Sequence, residues 1–311
     1  MGIVTKNENN IFKNKVKSII FKAKFVYYKN LFDRNKQNTT KTWSNIRSIM
    51  STNARNSTPL RIIYENNEYL EPVEIAEVFN LYYCNIPQQL NENIPQSSID
   101  PIRCVNSNCI SSLLFYPVSE NECISLINNL KNTKEHKDKI PVHLIKENAS
   151  ILSPLLCNII NKCFSTGIFP DIFKQATVIP IFKAGDSLSP SNYRPISLLS
   201  PFSKLIEKCM YNRIYSFITE FSLLTLSQFG FLKGKSTESA VTELTEYLYD
   251  VLNNKEISIN IFIDFKKAFD TIDHSILFKK LELYGIQGKP LLLLKSFLTN
   301  RTQIVKIGKR F

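Results

Sequence analysis

Glycine is scarce in this chain: there are eight in 311 residues, none of them between Gly2 and Gly167. A stretch that long without glycine predicts helices joined by polar loops rather than tight turns, whereas six of the eight fall between Gly167 and Gly288 and predict a mixed fold there. Long apolar runs are also missing. The best, Ile151 to Ile160, is broken by Ser153, Pro154 and Asn158 and falls short of the roughly 18 residues that cross a bilayer, so a membrane protein is not expected. The start, MGIVTKNENN, has no apolar secretory segment, and Lys6 stands where a myristoylation motif needs Ser or Thr. An intracellular protein is expected, in nucleus or cytoplasm. The seven cysteines are odd in number and contain no C-x-x-C, and the three histidines are scattered, which argues against a disulfide framework or structural zinc and for reduced, buried thiols.

Acidic residues are nearly absent from the first 50 positions, where eleven Lys/Arg face only Glu8 and Asp33. Nine of the net +12 charges therefore sit in the first sixth of the chain, interleaved with Phe12, Phe21, Phe25, Tyr27, Tyr28 and Trp43. That pattern points to a polyanion, nucleic acid ahead of a membrane surface; the alternative is a solvated basic helix face. Asparagine is skewed the same way, with 22 of 31 before residue 141. The length suits about two domains of roughly 150 residues, and 43% hydrophobic residues suffice for a core.

Periodicity predicts helices over 10–32 and 40–50, another begun by Pro72, then loop over 86–110, where Pro87, Pro95, Pro101 and Ser97-Ser98 interrupt. Ser119 and Glu122 have capping-box spacing at the start of the next helix. A helix near 149–166 should bury Leu152, Leu155, Leu156, Ile159, Ile160 and Phe164 and close at Gly167. Thr177 to Lys183 and Arg194 to Leu199 read as a hairpin-like pair around Ala184-Gly-Asp186, with a basic residue at each mouth. Helices follow at 202–220 and 236–252. Ile257 to Asp264 then alternates as a strand, with Ile257, Ile259, Ile261 and Ile263 on a core face and Asp264 at the strand end on the other. A helical segment, a leucine-rich helix near 290–299 and an extended stretch from Thr302 to Ile307 complete the pattern.

Phe262-Ile-Asp264-Phe-Lys-Lys-Ala268-Phe269-Asp270 is the sharpest chemical signal. A carboxylate at the end of a buried strand can hold a divalent cation against a transferring phosphate; an exposed Asp that merely caps the next helix is the other reading. The stretch resembles the first catalytic motif of reverse transcriptases of non-LTR, jockey-like retrotransposons. Other segments match in order. Phe169-Pro170, Thr177 to Lys183 and Asn192-Tyr-Arg194-Pro-Ile-Ser-Leu198 are similar to that family's fingers hairpin, and Gln228-Phe-Gly230-Phe231-Leu-Lys233-Gly234-Lys235-Ser236-Thr237 to its next motif. The segment from Trp43 through Phe79 and Tyr82 to Ile86 resembles the linker that precedes the polymerase. Two departures stand out: Glu135-His-Lys-Asp-Lys139 replaces a Gly- and Pro-containing turn, and Lys233 and Lys235 replace what are commonly arginines.

The resemblance implies an α+β chain: a basic, mainly helical linker over 1–110, a helical lead-in over 111–165, and fingers with part of the palm of a right-hand polymerase over 166–311. It implies that Asp264, with the backbone carbonyl of Phe265, ligates two magnesium ions. Lys183 and Arg194 would hold the phosphates of a dNTP, and Phe269 would lie beneath its sugar, unless it is a core aromatic. Gln228, Gly230, Phe231, Lys233 and Lys235 would contact the nucleic acid, and RNA template and DNA primer would be the partners. Asp270 and Asp273 match no catalytic position and read as helix-start residues. Gly230-x-x-x-Gly234-Lys235-Ser236 has three residues between its glycines where a Walker A loop has four, and His274 has no second histidine at metal spacing. No Asp-Asp pair occurs in the 311 residues. The expectation is therefore a reverse transcriptase ending before its site is complete, inactive alone, or else a non-catalytic nucleic-acid-binding remnant.

Overall fold

Polar residues that cap and apolar residues that recur every three or four positions build most of this molecule. A computed structural model describes residues 6–36, 38–50, 59–92, 94, 99–105, 111–131, 138, 140–265 and 267–308. The chain divides into two compact units, 1–56 and 57–311.

The first unit is two helices, α1 (Lys6–Asn35) and α2 (Thr39–Met50). Asn38 accepts from the Lys41 N–H at 3.0 Å and so caps α2, and Thr42 Oγ1 donates to the Asn35 carbonyl at 3.0 Å. Phe12, Phe21, Phe25 and Tyr27 of α1 are all more than half exposed.

In the second unit β1 (Ile62–Tyr64) and β2 (Asn67–Tyr69) pair through Glu65 and Asn66, both at positive φ, as a two-residue hairpin requires. Helix α3 (Pro72–Glu92) follows and has proline at its first position. It runs past the loop expected from residue 86. Pro87 is tolerated inside it, and the burial of Ile86 ties the last turns to the core. Next come α4 (Glu120–Asn128), the short α5 (Val142–Glu147) and α6 (Ala149–Thr166). Gly167 ends α6 at φ 73°, and a Cβ there would lie 2.8 Å from that of Leu292, so only glycine fits. Then follow β3 (Gln175–Phe182), β4 (Tyr193–Leu198), α7 (Pro201–Glu220), α8 (Thr237–Asn253), α9 (His274–Leu283), α10 (Gly288–Leu298) and β5 (Thr302–Val305).

The sheet has the order β4-β3-β5, antiparallel on one side of β3 and parallel on the other. One core lies on it, where Phe79 and Val78 of α3 meet Val178, Tyr193, Val305 and Ile307. A larger core joins α4, α6, α7 and α10 through Ile127, Leu156, Ile160, Phe164, Leu205, Ile206 and Leu293. Helix and sheet are thus mixed, as expected. Leu155 departs from expectation: it is 60% exposed, on the side of α6 away from this core. Cys123, Cys157, Cys163 and Cys209 are buried free thiols, but Cys84 is a free thiol that is exposed, where Gln303 Nε2 donates to its Sγ at 3.5 Å. The Cys109 expectation and most of the Glu135 to Lys139 departure lie outside the described residues.

The largest correction concerns residues 257–264, which form no strand. Ile257, Ile259, Ile261 and Ile263 are 76–94% exposed instead of sharing a buried face. Alternation supplies a face, but a strand also needs a neighbour for its N–H and C=O groups. β3 already has both edges taken, and no described strand pairs with 257–264.

Candidate active site

The hairpin of β3 and β4 positions Lys183 and Arg194. Its register pairs Ile181 with Arg194 and Phe182 with Tyr193, and the Lys183 N–H donates to the Asn192 carbonyl at 2.8 Å. Side chains alternate, so 181, 183 and 194 share one face of the ribbon and 182 and 193 the other. The second face is anchored: the Tyr193 ring lies 5.0 Å from Phe79 and 5.4 Å from Phe182, and burial pushes its phenol pKa up, with Asp186 adding to the effect. The first face is open. Lys183 and Arg194 are exposed on it, and among the described residues neither forms an ion pair.

The connection between the strands is held closed. Asn192 Nδ2 donates to the Asp186 carbonyl at 2.8 Å, Tyr193 Oη to that of Ser187 at 2.8 Å, and Asp186 Oδ1 accepts from the Leu188 N–H at 2.9 Å. Gly185 sits at φ 91° with the Asn192 amide 3.0 Å from where a Cβ would be. The Ile63 N–H donates to the Leu188 carbonyl at 2.8 Å, which docks β1 on the loop. The two cations thus stand on a braced ribbon, a suitable mount for groups that must close on phosphates.

Residues 228–235 lie in the irregular segment between α7 and α8. Gln228 Nε2 donates to the Gly230 carbonyl at 3.2 Å, and Lys235 Nζ donates to the Leu226 carbonyl at 2.9 Å while standing 4.2 Å above the Phe229 ring. Lys233 packs against Tyr215 of α7. Phe231 has φ 63° and is 86% exposed; its ring meets that of Phe269 edge-on at 5.9 Å. That contact brings the 228–235 loop and the 264–270 segment together. Ser236 caps α8 with Ser239 answering it, and no strand precedes the loop, so the Walker A likeness has no structural support.

Asp264 is exposed and irregular, and so is Phe265. Lys267, at φ 52°, reaches Tyr82 of α3, with Nζ 3.3 Å from Oη. Asp273 is the N-cap of α9, accepting from Ser275 and Ile276, and those hydrogen bonds hold its carboxyl below its ordinary value. Among the described residues no three carboxylate, histidine or cysteine side chains gather where they could hold a cation. The residues placed around Asp264 do not by themselves make a site for two magnesium ions.

The polar residue that the sequence reading missed is Arg213 of α7, 1% exposed. Its Nη1 and Nη2 both donate to the Glu122 carboxylate, the second at 2.8 Å, and Nε donates to the Tyr116 carbonyl at 3.3 Å. Burial alone would lower the guanidinium pKa; Glu122 outweighs it and the net shift is upward. Ser119 caps α4 as its spacing predicts, but the Glu122 side chain turns to Arg213 and leaves the capping box half made. Only the three-dimensional packing of α7 on α4 reveals this pair, because 91 residues separate its partners.

Comparison with known proteins points to the same family that the motifs resemble. Residues 181–311 match the reverse transcriptase (RNA-dependent DNA polymerase) family. Over 163 residues the chain is 36% identical to the probable RNA-directed DNA polymerase from transposon BS of Drosophila melanogaster, which covers 50% of this chain and 17% of the relative. It is 31% identical over 154 residues to the RNA-directed DNA polymerase from mobile element jockey of the same species, covering 49% and 17%. The jockey protein of Drosophila funebris is 29% identical over 191 residues, covering 60% and 20%. The chain spans a fifth or less of the length of these relatives. No described helix is long and apolar enough to cross a membrane. Residues 181–311 are therefore similar to the reverse transcriptase family, and the relatives the chain matches are named as RNA-directed DNA polymerases of mobile elements.

Proposed function

We propose that this chain is the linker, fingers and first palm segment of an RNA-directed DNA polymerase of a non-LTR retrotransposon, working on an RNA template, a DNA primer and dNTPs. The observation that carries the reading is the braced hairpin face on which Lys183 and Arg194 stand exposed and, among the described residues, in no ion pair. Arg194 offers a bidentate fork to phosphate oxygens and Lys183 a point charge. Phe269, placed against Phe231 at the junction with the 228–235 loop, suits the sugar-side role. The same loop carries Gln228, Gly230, Lys233 and Lys235 for the nucleic acid. Asp264 is the carboxylate this chain contributes to a divalent-cation site, and magnesium is the expected ion. The division at about residues 110 and 165 into linker, lead-in and polymerase belongs to the same reading.

The test is binding of a fluorescent dNTP to the 311-residue chain. Arg194→Ala should weaken it about tenfold or more, as loss of a charge-assisted pair worth at least ~1.5 kcal/mol requires, and Lys183→Ala by less. Equal affinity in the wild type and Arg194→Ala would take Arg194 out of the site and overturn the reading that rests on it.

A further inference from the structure

Helix α7 buries one face and shows another that no role above uses. Leu205, Ile206, Cys209, Met210, Arg213 and Phe217 enter the cores. Lys204, Lys208, Tyr211 and Tyr215, at helical spacing of four, three and four, form a stripe on the other side. Two of its side chains are aromatic, and their rings stack on each other at 5.4 Å and 25°. Lys208 Nζ stands 4.2 Å above the Tyr211 ring, and Lys233 Nζ, from the 228–235 loop, stands 4.9 Å above that of Tyr215. The Lys233 N–H also donates to Tyr215 Oη at 3.2 Å. The result is a column of cation, ring, ring and cation at the surface. Among the described residues neither Lys208 nor Lys233 forms an ion pair. The nearest acid on the helix, Glu207, is engaged by Ser203, from which it accepts at 2.9 Å.

We propose that this column is a binding track for a single strand of nucleic acid, with a base stacking on Tyr211 and phosphates meeting Lys208 and Lys233. The inference rests on the polymerase reading, extending the strand path from the 228–235 loop along α7. Magnitudes favour the exchange: a lysine over an exposed ring is worth roughly 0.5–1 kcal/mol, base stacking on an aromatic roughly 1–3 kcal/mol, and the displaced lysine gains a phosphate. Duplex bases are already stacked on each other and offer no free face to Tyr211, so the track selects single strands.

The experiment uses the whole chain with fluorescent oligo(U) and oligo(dT) of about twelve nucleotides, within the span usual for such surfaces, and a duplex of equal length. Tyr211→Leu should weaken single-strand binding about fivefold or more, while Tyr211→Phe keeps it, since stacking needs the ring and not the hydroxyl. Lys208→Gln and Lys233→Gln should each flatten the salt slope by about 0.7 per phosphate lost. A strand carrying 4-thiouracil should cross-link to the peptide between Lys208 and Arg213. Wild-type affinity in Tyr211→Leu, an equal loss in Tyr211→Phe, or cross-links confined to α1 would overturn the track. If the track fails while dNTP binding still depends on Arg194, the polymerase reading stands alone; if strand binding follows Tyr211 but dNTP binding ignores Arg194, that reading falls and the surface is a strand-binding one. Preference between oligo(U) and oligo(dT) separates an RNA-specific track from one for any single strand.

Discussion

Arg213 shows how much a single residue can settle that local pattern cannot. Its side chain has zero exposure, and Glu122 is 28% exposed, so removing the cation leaves a mostly buried carboxylate without its partner. Arg213→Ala should destabilise the fold by about 3 kcal/mol, measured by urea unfolding, the lower part of the range for a broken buried pair because Glu122 keeps some water. Replacing both residues with Arg213→Met and Glu122→Leu should recover most of that loss; a double variant as unstable as the single would mean that the carbonyl contact at Tyr116 and the one that Arg213 Nη2 makes to Pro117 at 3.4 Å, not the charge pair, carry the effect. Glu207 gives a pH prediction. Desolvation raises its folded pKa above the ordinary 4.5, against the lowering influence of Ser203, Arg301 and Lys204. A raised carboxyl pKa contributes stability that is fully present below the unfolded value and lost as pH rises through the folded one. Glu207→Gln, which keeps an acceptor for Ser203, should therefore raise the thermal midpoint near pH 7 and gain nothing below the unfolded value. An equal gain at both pH values would show that charge is not the cause.

Elements were legible in the sequence where local chemistry decides them. Pro72, Ser119, Gly167 and Ser236 each mark a helix end that the structure confirms, and the β3 and β4 pair follows from alternation around Gly185. The β1 and β2 hairpin passed unseen because its strands are three residues each and its turn, Glu65-Asn66, lacks glycine. Residues 257–264 failed in the opposite way: their pattern is strong, yet pattern cannot supply a partner strand. Of the candidate site, the hairpin cations and the Phe231 loop could be placed from sequence, whereas the Arg213 pair and the α7 column depend on contacts between distant elements. Helix α1 carries a prediction of its own. Its lysines and exposed aromatics belong to the stretch of nine net charges, and neutralising phosphates releases counterions. Deleting residues 1–50 should flatten the salt dependence of RNA or DNA binding, measured by anisotropy. An unchanged slope would leave α1 as solvated surface.

At the scale of the whole molecule, the segments that the proposed function draws on are unevenly built. The β3 and β4 hairpin is braced in a three-stranded sheet, and among the described residues its two cations form no ion pair, while the segment bearing Asp264 has neither strand partner nor a surrounding cluster of acids among them. Nucleotidyl transfer needs the primer end and the triphosphate fixed together, and a lone exposed carboxylate cannot hold cations in the geometry that does this. The 311-residue chain should thus bind dNTP and single strands and still fail to extend a primer. Purified chain, magnesium and a primed RNA template should give product at the level of Asp264→Asn, the variant that removes the charge with least change in shape. Extension above that background, abolished by Asp264→Asn, would show that carboxylates within these residues come together around Asp264 in the working state. Asp250, Asp270 and Glu256 would then be the first to test, since they lie in the same stretch of chain and none is tied to an ion pair among the described residues.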